Sequence, residues 1–541
     1  MPNRTPPMSL PNSVAQLQRE HVVMELECID RMYLNAYLPK LTSEKGVAGF
    51  FRHHLGNRFA STKQAADITD AFIVRIRDFI DDLDIPLVRF QKGQRKDDIF
   101  QKHLRRFKKP QGVVFVGVAQ EKVRVPRTVR KHFPDGGSIP WIAYTTAMVN
   151  AYYFYCVDED FGPFFIKFCS YFPYFAKLCL NGHEYLKRQL AKRHIPFESL
   201  DNGLLCCADL KAAQRLCDGL DAPKIDAFFR KWLRLLPHPF SRKDRRAGYR
   251  YELSMLQTEF SLTQVWDRQV NGRCFFEEVI RENIDLGRPE QVQLIFGRKL
   301  RRSTVASGRC RTRIITEGVT PSLHVYYKNT HIKQYHKEGR ALRTETTVNN
   351  TYDFNVGRRL HNLDELRQIG FAANRKVLDV EKLSHDCHIG TEAFERLQRP
   401  VRVDDQRAAA LRFGDPRVQA LFTVLCLFAL QPLGFTNKQL RPLLAQFLGW
   451  SPEQMTPGKM TYDLRRLRLH QLIERIPGTQ RYQLTPLGLK TALLCARTYQ
   501  RVLRPGLSLL QAPDPPSAPL RLAFDEFQAA LTTFFQQQRA A

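Results

Sequence analysis

Acidic residues are scarce relative to basic ones in this chain. There are 54 Asp and Glu residues against 83 Lys and Arg residues in a total of 541. The formal net charge of +29 is spread along the whole chain and is not confined to a tail. A chain of this kind attracts a polyanion, so its composition favours a nucleic acid, DNA or RNA, as the partner.

The sequence also lacks the segments that attach a protein to a membrane. It has no apolar stretch of about 18 residues and no lipidation motif. The first residues, MPNRTPPMSLPNS, contain no apolar signal core, which argues against secretion. We therefore expect a cytoplasmic protein without a membrane partner.

Several motifs of metal and nucleotide sites are missing. None of the 12 cysteines forms a CxxC pair, and most lie in apolar runs that are typical of reduced core thiols. In NGHEYLKRQ, Lys187 stands where the HExxH motif of a zinc protease needs its second histidine. A Walker-type loop and a dinucleotide glycine fingerprint are also absent. These absences argue against a structural zinc site, a zinc protease and the two motif-based nucleotide sites.

The apolar pattern predicts a multidomain protein of mixed α+β and α/β class. VAQLQREHVVMELECIDRMYLNAYL has apolar residues at three- and four-residue steps, which predicts a helix. KVRVPRTVRKHFPDGGS is interpreted as a basic loop. The predicted regions are a helical N-terminal domain (14–85), an α/β core (86–290), a basic β-rich region (291–400), a C-terminal helical module (415–505) and a proline-rich spacer with a final helix (506–541).

The C-terminal module has the most specific pattern. Two apolar helices precede a basic helix that opens at Thr456, and two short strands surround Pro477 and Gly478. This order resembles the winged helix-turn-helix family, most clearly in LRRLRLHQLIERIPGTQRYQLT. The resemblance implies a third helix in a DNA groove with the wing beside the backbone. The contacts that it implies are Lys459, Tyr462, Arg465, Arg466, Arg468, Arg475 and Arg481; a winged helix that contacts protein is the alternative.

Three acids follow an apolar strand in YYFYCVDEDFGPFFIKFCSYFPY. Asp158 lies at the end of the first strand of a predicted hairpin, and Asp201 follows a predicted fourth strand after one helix. This order resembles the start of the ribonuclease H-like core of integrases and DDE transposases. The resemblance implies that Asp158 and Asp201 hold Mg²⁺ for phosphodiester cleavage or strand transfer, with Asp160 assisting.

The third acid of that family is not at its usual place. Asp226 is the only acid in the next helix, and Glu277 and Glu278 in FFEEVIRENI come late. The alternative is that DEDFG and the Asp201 segment are solvated turns, where acids and glycine are common without any chemistry. The two functional hypotheses are thus a magnesium-dependent nuclease or transposase and a non-catalytic DNA- or RNA-binding protein.

The basic β-rich region alternates cations with tyrosines. Such a surface can stack bases and hold phosphates, although the same tyrosines could be packing in an ordinary sheet. The candidate contacts are Tyr326, Lys328, Lys333, Tyr335, Lys337, Arg340 and Arg343. Residues 110 to 380 also resemble a bacterial protein family without an assigned activity, which implies a bacterial source and adds no catalytic residue.

Overall fold

The protein is described here by a computed structural model. The structure describes residues 14 to 503 apart from residues 92, 133, 285–290, 295–310, 318–319, 338, 384–388 and 427–433, together with residues 522–523, 525–527, 529–530 and 533.

Eighteen strands are present among the described residues. In chain order they are β1 (Val22–Tyr37), β2 (Leu87–Arg89), β3 (Gly112–His132), β4 (Ser138–Asp158), β5 (Gly162–Cys169), β6 (Ala176–Asn181), β7 (Phe197–Leu200), β8 (Gly203–Cys207), β9 (Glu252–Trp266), β10 (Gln291–Leu294), β11 (Arg311–Glu317), β12 (Thr320–Tyr327), β13 (Thr330–Lys337), β14 (Ala341–Val348), β15 (Val401–Val403), β16 (Gln406–Ala408), β17 (Ile473–Arg475) and β18 (Tyr482–Leu484).

The α-helices begin before the first strand and end after the last. They are α1 (Val14–His21), α2 (Glu44–Gly49), α3 (Thr62–Asp82), α4 (Lys96–Leu104), α5 (Gly182–Lys192), α6 (Leu210–Asp218), α7 (Ala222–Leu235), α8 (Arg242–Arg246), α9 (Gln269–Ile284), α10 (Leu363–Leu383), α11 (Thr391–Leu397), α12 (Pro416–Leu425), α13 (Asn437–Leu448), α14 (Pro457–Leu469) and α15 (Pro486–Arg497). No helix in the described part of the chain is both long and apolar enough to cross a bilayer.

Twelve of the strands form one mixed sheet, in the order β10-β11-β12-β13-β14-β9-β1-β6-β5-β4-β3-β2. The mixed α/β class is therefore confirmed. The sheet joins strands from three of the predicted regions, because β14, β9, β1 and β6 are neighbours. Strands β11 to β14 lie in the predicted basic β-rich region, where helices α10 and α11 follow them.

Residues 22 to 37 form a central strand, so the helix predicted there is wrong. A bulge interrupts the pairing of β1 with β9 between Ile29 and Met32. Before the bulge, Met24 and Leu26 pack under α5 and α6; after it, Met32 and Leu34 join the largest core on the other face. The bulge exchanges the two faces of the strand. The alternation of apolar and polar residues that predicts a strand is therefore interrupted in the sequence.

Two further segments differ from their sequence-based interpretation. Residues 122 to 132 are not a loop, because they continue β3, which pairs with β4 from Gly112 to His132. The segment Phe197–Leu200 is a strand, but it pairs only with β8 in a separate two-stranded sheet. It is therefore not a neighbour of β4, as the ribonuclease H-like interpretation requires. The hairpin of β4 and β5 is present as predicted.

Candidate nucleic-acid interface

The C-terminal module contains the predicted elements in the predicted order. Helices α12, α13 and α14 precede the hairpin of β17 and β18, and α15 follows it. Helix α13 ends at Gly449, whose φ of 67° is left-handed, and α14 begins after Thr456, whose side chain accepts a hydrogen bond from the backbone N–H of Lys459. Pro457 occupies the first turn, where it costs no hydrogen bond.

One side of α14 is fixed to the core of the module. Met460, Leu464 and Leu467 are buried in it. Asp463 is also buried, and its carboxylate forms an ion pair of 2.7 Å with Arg417 of α12. Burial raises the pKa of Asp463 in spite of the two neighbouring guanidinium groups. The helix therefore cannot rotate to present another side without breaking a buried ion pair.

The other side of α14 carries cations and an aromatic ring. Lys459, Tyr462, Arg465 and Arg468 are all exposed, and Tyr462 is 50% accessible. Lys459 Nζ donates to the carbonyl of Gln454 at 3.0 Å, and Arg468 donates to the side chain of Gln406 at 3.1 Å. The only acid on the helix faces the opposite way, so the solvent side is positive along its length.

Arg466 does not belong to this surface. It is 6% exposed, and its guanidinium donates to the carbonyls of Ala409 and Ala410. The prediction that Arg466 contacts nucleic acid is thus wrong, because its donors hold the segment after β16 against the helix. A buried charge with hydrogen-bonded donors is expected to be structural.

The predicted wing is a short hairpin around a glycine turn. Gly478 has a φ of 70°, and the exposed Arg475 donates to the carbonyl of Thr479 within the same hairpin. Arg481 is half-buried and donates to the carbonyl of Gly434 at 2.7 Å, which joins the wing to the segment before α13. Arg475 is therefore the more accessible of the two predicted cations.

The candidate residues of the β-rich region do not form one continuous surface. The strand register places Tyr326, Lys333 and Tyr335 on one face of the sheet. The ring of Tyr326 stacks on His331 at 4.5 Å, and the Tyr335 hydroxyl donates to Glu345 at 2.8 Å. Lys328 lies in the turn at one end of β13, whereas Lys337 and Arg340 lie at the other end.

Arg343 is enclosed in the protein and has no access to a strand of nucleic acid. Its side chain has 0% exposure, and it donates to Asp30, to His183 and to the carbonyl of Asn202. The prediction of a nucleic-acid contact is wrong here. Arg343 instead links three separate parts of the fold around the bulge in β1.

Asp158 is buried, and both oxygens of its carboxylate accept hydrogen bonds from the protein. Oδ1 accepts from the backbone N–H groups of Asp160 and Phe161 at 2.9 and 3.2 Å. Oδ2 accepts from Lys231 Nζ at 2.7 Å and from Trp232 Nε1 at 2.8 Å. The carboxylate thus closes the turn and pairs with α7 beneath it.

The other predicted acids lie on different elements. Asp160 accepts from Lys192 Nζ at 2.6 Å, and that hydrogen bond lowers its pKa. Asp201 lies in the exposed turn between β7 and β8. Glu277 and Glu278 lie on α9, which packs against α1, β9 and β14. The fold does not join these acids to Asp158 through any shared strand pair.

These residues do not fit the predicted magnesium site. A magnesium ion needs carboxylate oxygens that point into an open position, and those of Asp158 already accept four hydrogen bonds from protein groups. Within the described ranges, no group of three or more His, Cys, Asp and Glu residues could hold a metal ion.

A buried polar network at the bulge of β1 was not predicted. Asp30 is 2% exposed and pairs with Arg343 at 2.9 Å. Burial alone would raise the pKa of Asp30, but Arg343 and His183 more than offset it and hold the pKa below its usual value. Burial and the charge of Asp30 raise the pKa of Glu259 to about 7. In the sequence, the signal for this network is Asp30 followed by Arg31, an acid and a base side by side within an apolar segment.

Comparison of the chain with protein-family models, with curated proteins and with solved structures finds no match.

Proposed function

We propose that this protein binds nucleic acid, with duplex DNA as the first candidate, through the exposed side of α14. The observation that carries the proposal is the distribution of charge on that helix. Lys459, Arg465 and Arg468 face solvent, while the single acid, Asp463, is buried and paired. Cations that face outward without an acid among them suit a phosphate backbone.

The order of elements adds a second argument. A basic third helix followed by a β-hairpin is similar to the winged helix-turn-helix family, in which the third helix enters the major groove. Tyr462 is exposed between Lys459 and Arg465 on α14 and offers a ring beside the phosphates. Arg475 on the hairpin would contact the backbone next to the groove.

Binding without cleavage at the acidic hairpin agrees best with the geometry. Asp158 is 1% exposed and Lys231 compensates its charge, so it has no free oxygen for a metal ion. In this proposal the protein binds DNA, and Asp158 and Asp201 do not cleave it. RNA is the alternative ligand, since phosphate contacts do not distinguish the two polymers.

The test is the binding of a fluorescent 20-base-pair duplex to the full chain, measured by anisotropy at several salt concentrations. The double variant Arg465→Gln, Arg468→Gln should bind roughly tenfold more weakly and lower the slope of log K against log salt by about two. The control is Lys63→Gln, Arg77→Gln, which removes the same charge from exposed positions of α3. Equal losses in both variants would show that net charge alone matters.

The same assay distinguishes the other hypotheses. A single-stranded RNA of equal length that binds more tightly than the duplex would replace DNA by RNA. Unchanged binding in the α14 variant would contradict the proposal and indicate that the helix contacts protein. A magnesium-dependent cleavage product that disappears in Asp158→Asn would restore the nuclease hypothesis.

A further inference from the structure

A cleft of about 660 Å³ opens where the end of β1 meets the outer part of β4 and the segment after β14. This volume is within the range of about 300 to 1,000 Å³ that holds small organic ligands. The cleft combines cations with aromatic rings. The lining residues that matter here are Tyr37, Arg124, Tyr144, Tyr352, Arg358 and Arg359.

The three arginines make the cleft positive. Arg124, Arg358 and Arg359 are exposed, and none of them forms an ion pair with any residue that the structure describes. The acid that lines the cleft, Glu44, accepts hydrogen bonds from Trp141 Nε1 at 3.1 Å and from the backbone N–H of Tyr144 at 3.4 Å. An anion that enters therefore meets three guanidinium groups and one carboxylate that already has protein donors.

Two of the guanidinium groups are oriented by aromatic rings. Arg124 lies 5.4 Å from the ring centroid of Tyr144, and Arg358 lies 5.3 Å from that of Tyr352. Arg358 also donates to the side chain of Asn350 at 3.0 Å. Because these groups are partly ordered before any ligand binds, less conformational entropy is lost when they hold a phosphate.

Tyr352 supplies an accessible flat surface beside the cations. Tyr352 is 59% exposed, although it lies in a short 3₁₀ turn, Thr351–Phe354, in which Thr351 and Asp353 are buried. A base or another planar ring can stack there.

The segment that carries these side chains is fixed to the sheet. The backbone N–H of Met255 donates to the carbonyl of Arg358 at 2.7 Å, and Arg359 forms a bridge with Ser254 of β9. The cations thus project from an anchored backbone rather than from a free loop end. Fixed positions are what a specific pocket requires.

We propose that this cleft binds a phosphorylated nucleoside, with its phosphate on Arg124, Arg358 and Arg359 and its base on Tyr352. The ligand is either a free nucleotide or the 5′-phosphorylated end of a strand, since both present the same phosphate and ring. The inference goes beyond the proposed function, because the cleft shares no residue with the exposed side of α14.

The test is isothermal titration of the full chain with AMP, with 5′-phosphorylated tri-deoxyadenylate, and with adenosine and inorganic phosphate as the separate parts. At least one phosphorylated ligand should bind about tenfold more tightly than either part, because phosphate and ring contacts act together. Binding of AMP identifies a free nucleotide as the ligand, whereas binding of the trinucleotide alone identifies a strand end.

Two variants and two controls locate the site. Arg124→Gln and Tyr352→Ala should each weaken binding of that ligand by about tenfold, since each removes one strong contact. Tyr352→Phe retains the ring and should keep the affinity, and the α14 double variant should keep it as well. The proposal is overturned if neither phosphorylated ligand binds, if phosphate alone binds equally well, or if Arg124→Gln and Tyr352→Ala bind like the unaltered chain. If the α14 double variant loses duplex binding but still binds the phosphorylated ligand, the loss concerns α14 and the cleft is intact, as the proposal expects.

Discussion

Asp158 and Arg343 are charged side chains that the fold encloses and pairs. Asp158 is next to a turn, and Arg343 is in a strand with cations and tyrosines, so sequence alone assigned both to functional surfaces. Their side chains are only 1% and 0% exposed, so neither lies on a functional surface. Nothing in the local sequence distinguishes an enclosed charge from an exposed one. The partner of Asp158 is Lys231 and that of Arg343 is Asp30, and both partners are far away in the chain.

Asp158→Ala should therefore act on stability. Removing the carboxylate leaves Lys231 and Trp232 without their acceptor, and the free energy of unfolding should fall by about 3 kcal/mol. Urea unfolding followed by circular dichroism measures it. Asp160→Ala is the matched control, because its carboxylate is 45% exposed and its loss should cost about 1 kcal/mol or less. Equal effects would contradict the structural role of Asp158.

Glu381 gives the protein a pH-dependent stability. It lies fully buried in α10, and burial raises its pKa from 4.5 to about 8 in the folded state, although Gln334 Nε2 donates to it at 3.0 Å. Between these two values the folded chain binds more protons than the unfolded chain, so stability falls as the pH rises.

Urea unfolding at pH 5 and at pH 8 tests this expectation. The unaltered chain should lose more stability between the two pH values than Glu381→Gln, whose amide has nothing to titrate. If both chains lose the same amount, the carboxyl of Glu381 ionises at its ordinary pKa.

At the scale of elements, helices with clear apolar spacing and caps could be predicted, whereas α10 lies in the region predicted as β-rich. Helices α5, α7, α13 and α14 all occur where apolar spacing and caps place them, because those signals lie within the helix itself. Strand β1 was predicted as a helix because its bulge moves the apolar positions between faces. The outer part of β3 was interpreted as a loop because its cations hide the alternation.

The contact between α5 and β1 depends on a glycine. Gly182 is the first residue of α5, and a Cβ there would collide with the carbonyl oxygen of Ile29, just before the bulge. Gly182→Ala should destabilise the protein by about 2 kcal/mol or more, because strand and helix must separate. Gly458→Ala is the control: the position is in the first turn of α14 with open space around it, and alanine should be neutral or stabilise by up to about 1 kcal/mol. Thermal unfolding of the two variants compares them directly.

At the scale of the whole molecule, the pairing of distant strands could not be read from the sequence. The sheet order places β1 between β9 and β6, and β14 beyond β9. Periodicity reports only which residues form a strand and not which strand lies beside it. The same limit applies to the candidate sites: the exposed side of α14 is one local element, whereas the cleft draws on residues from Tyr37 to Arg359 that only the complete sheet brings together.

The position of β1 also affects how the chain is made. Tyr37 pairs with Glu252, which is 215 residues later. At about 5 to 20 residues per second, a ribosome needs roughly 10 to 40 seconds to supply that partner. Throughout this interval β1 has one side without its final neighbour, so the emerging chain exposes an unpaired strand edge, which favours aggregation, until β9 is made.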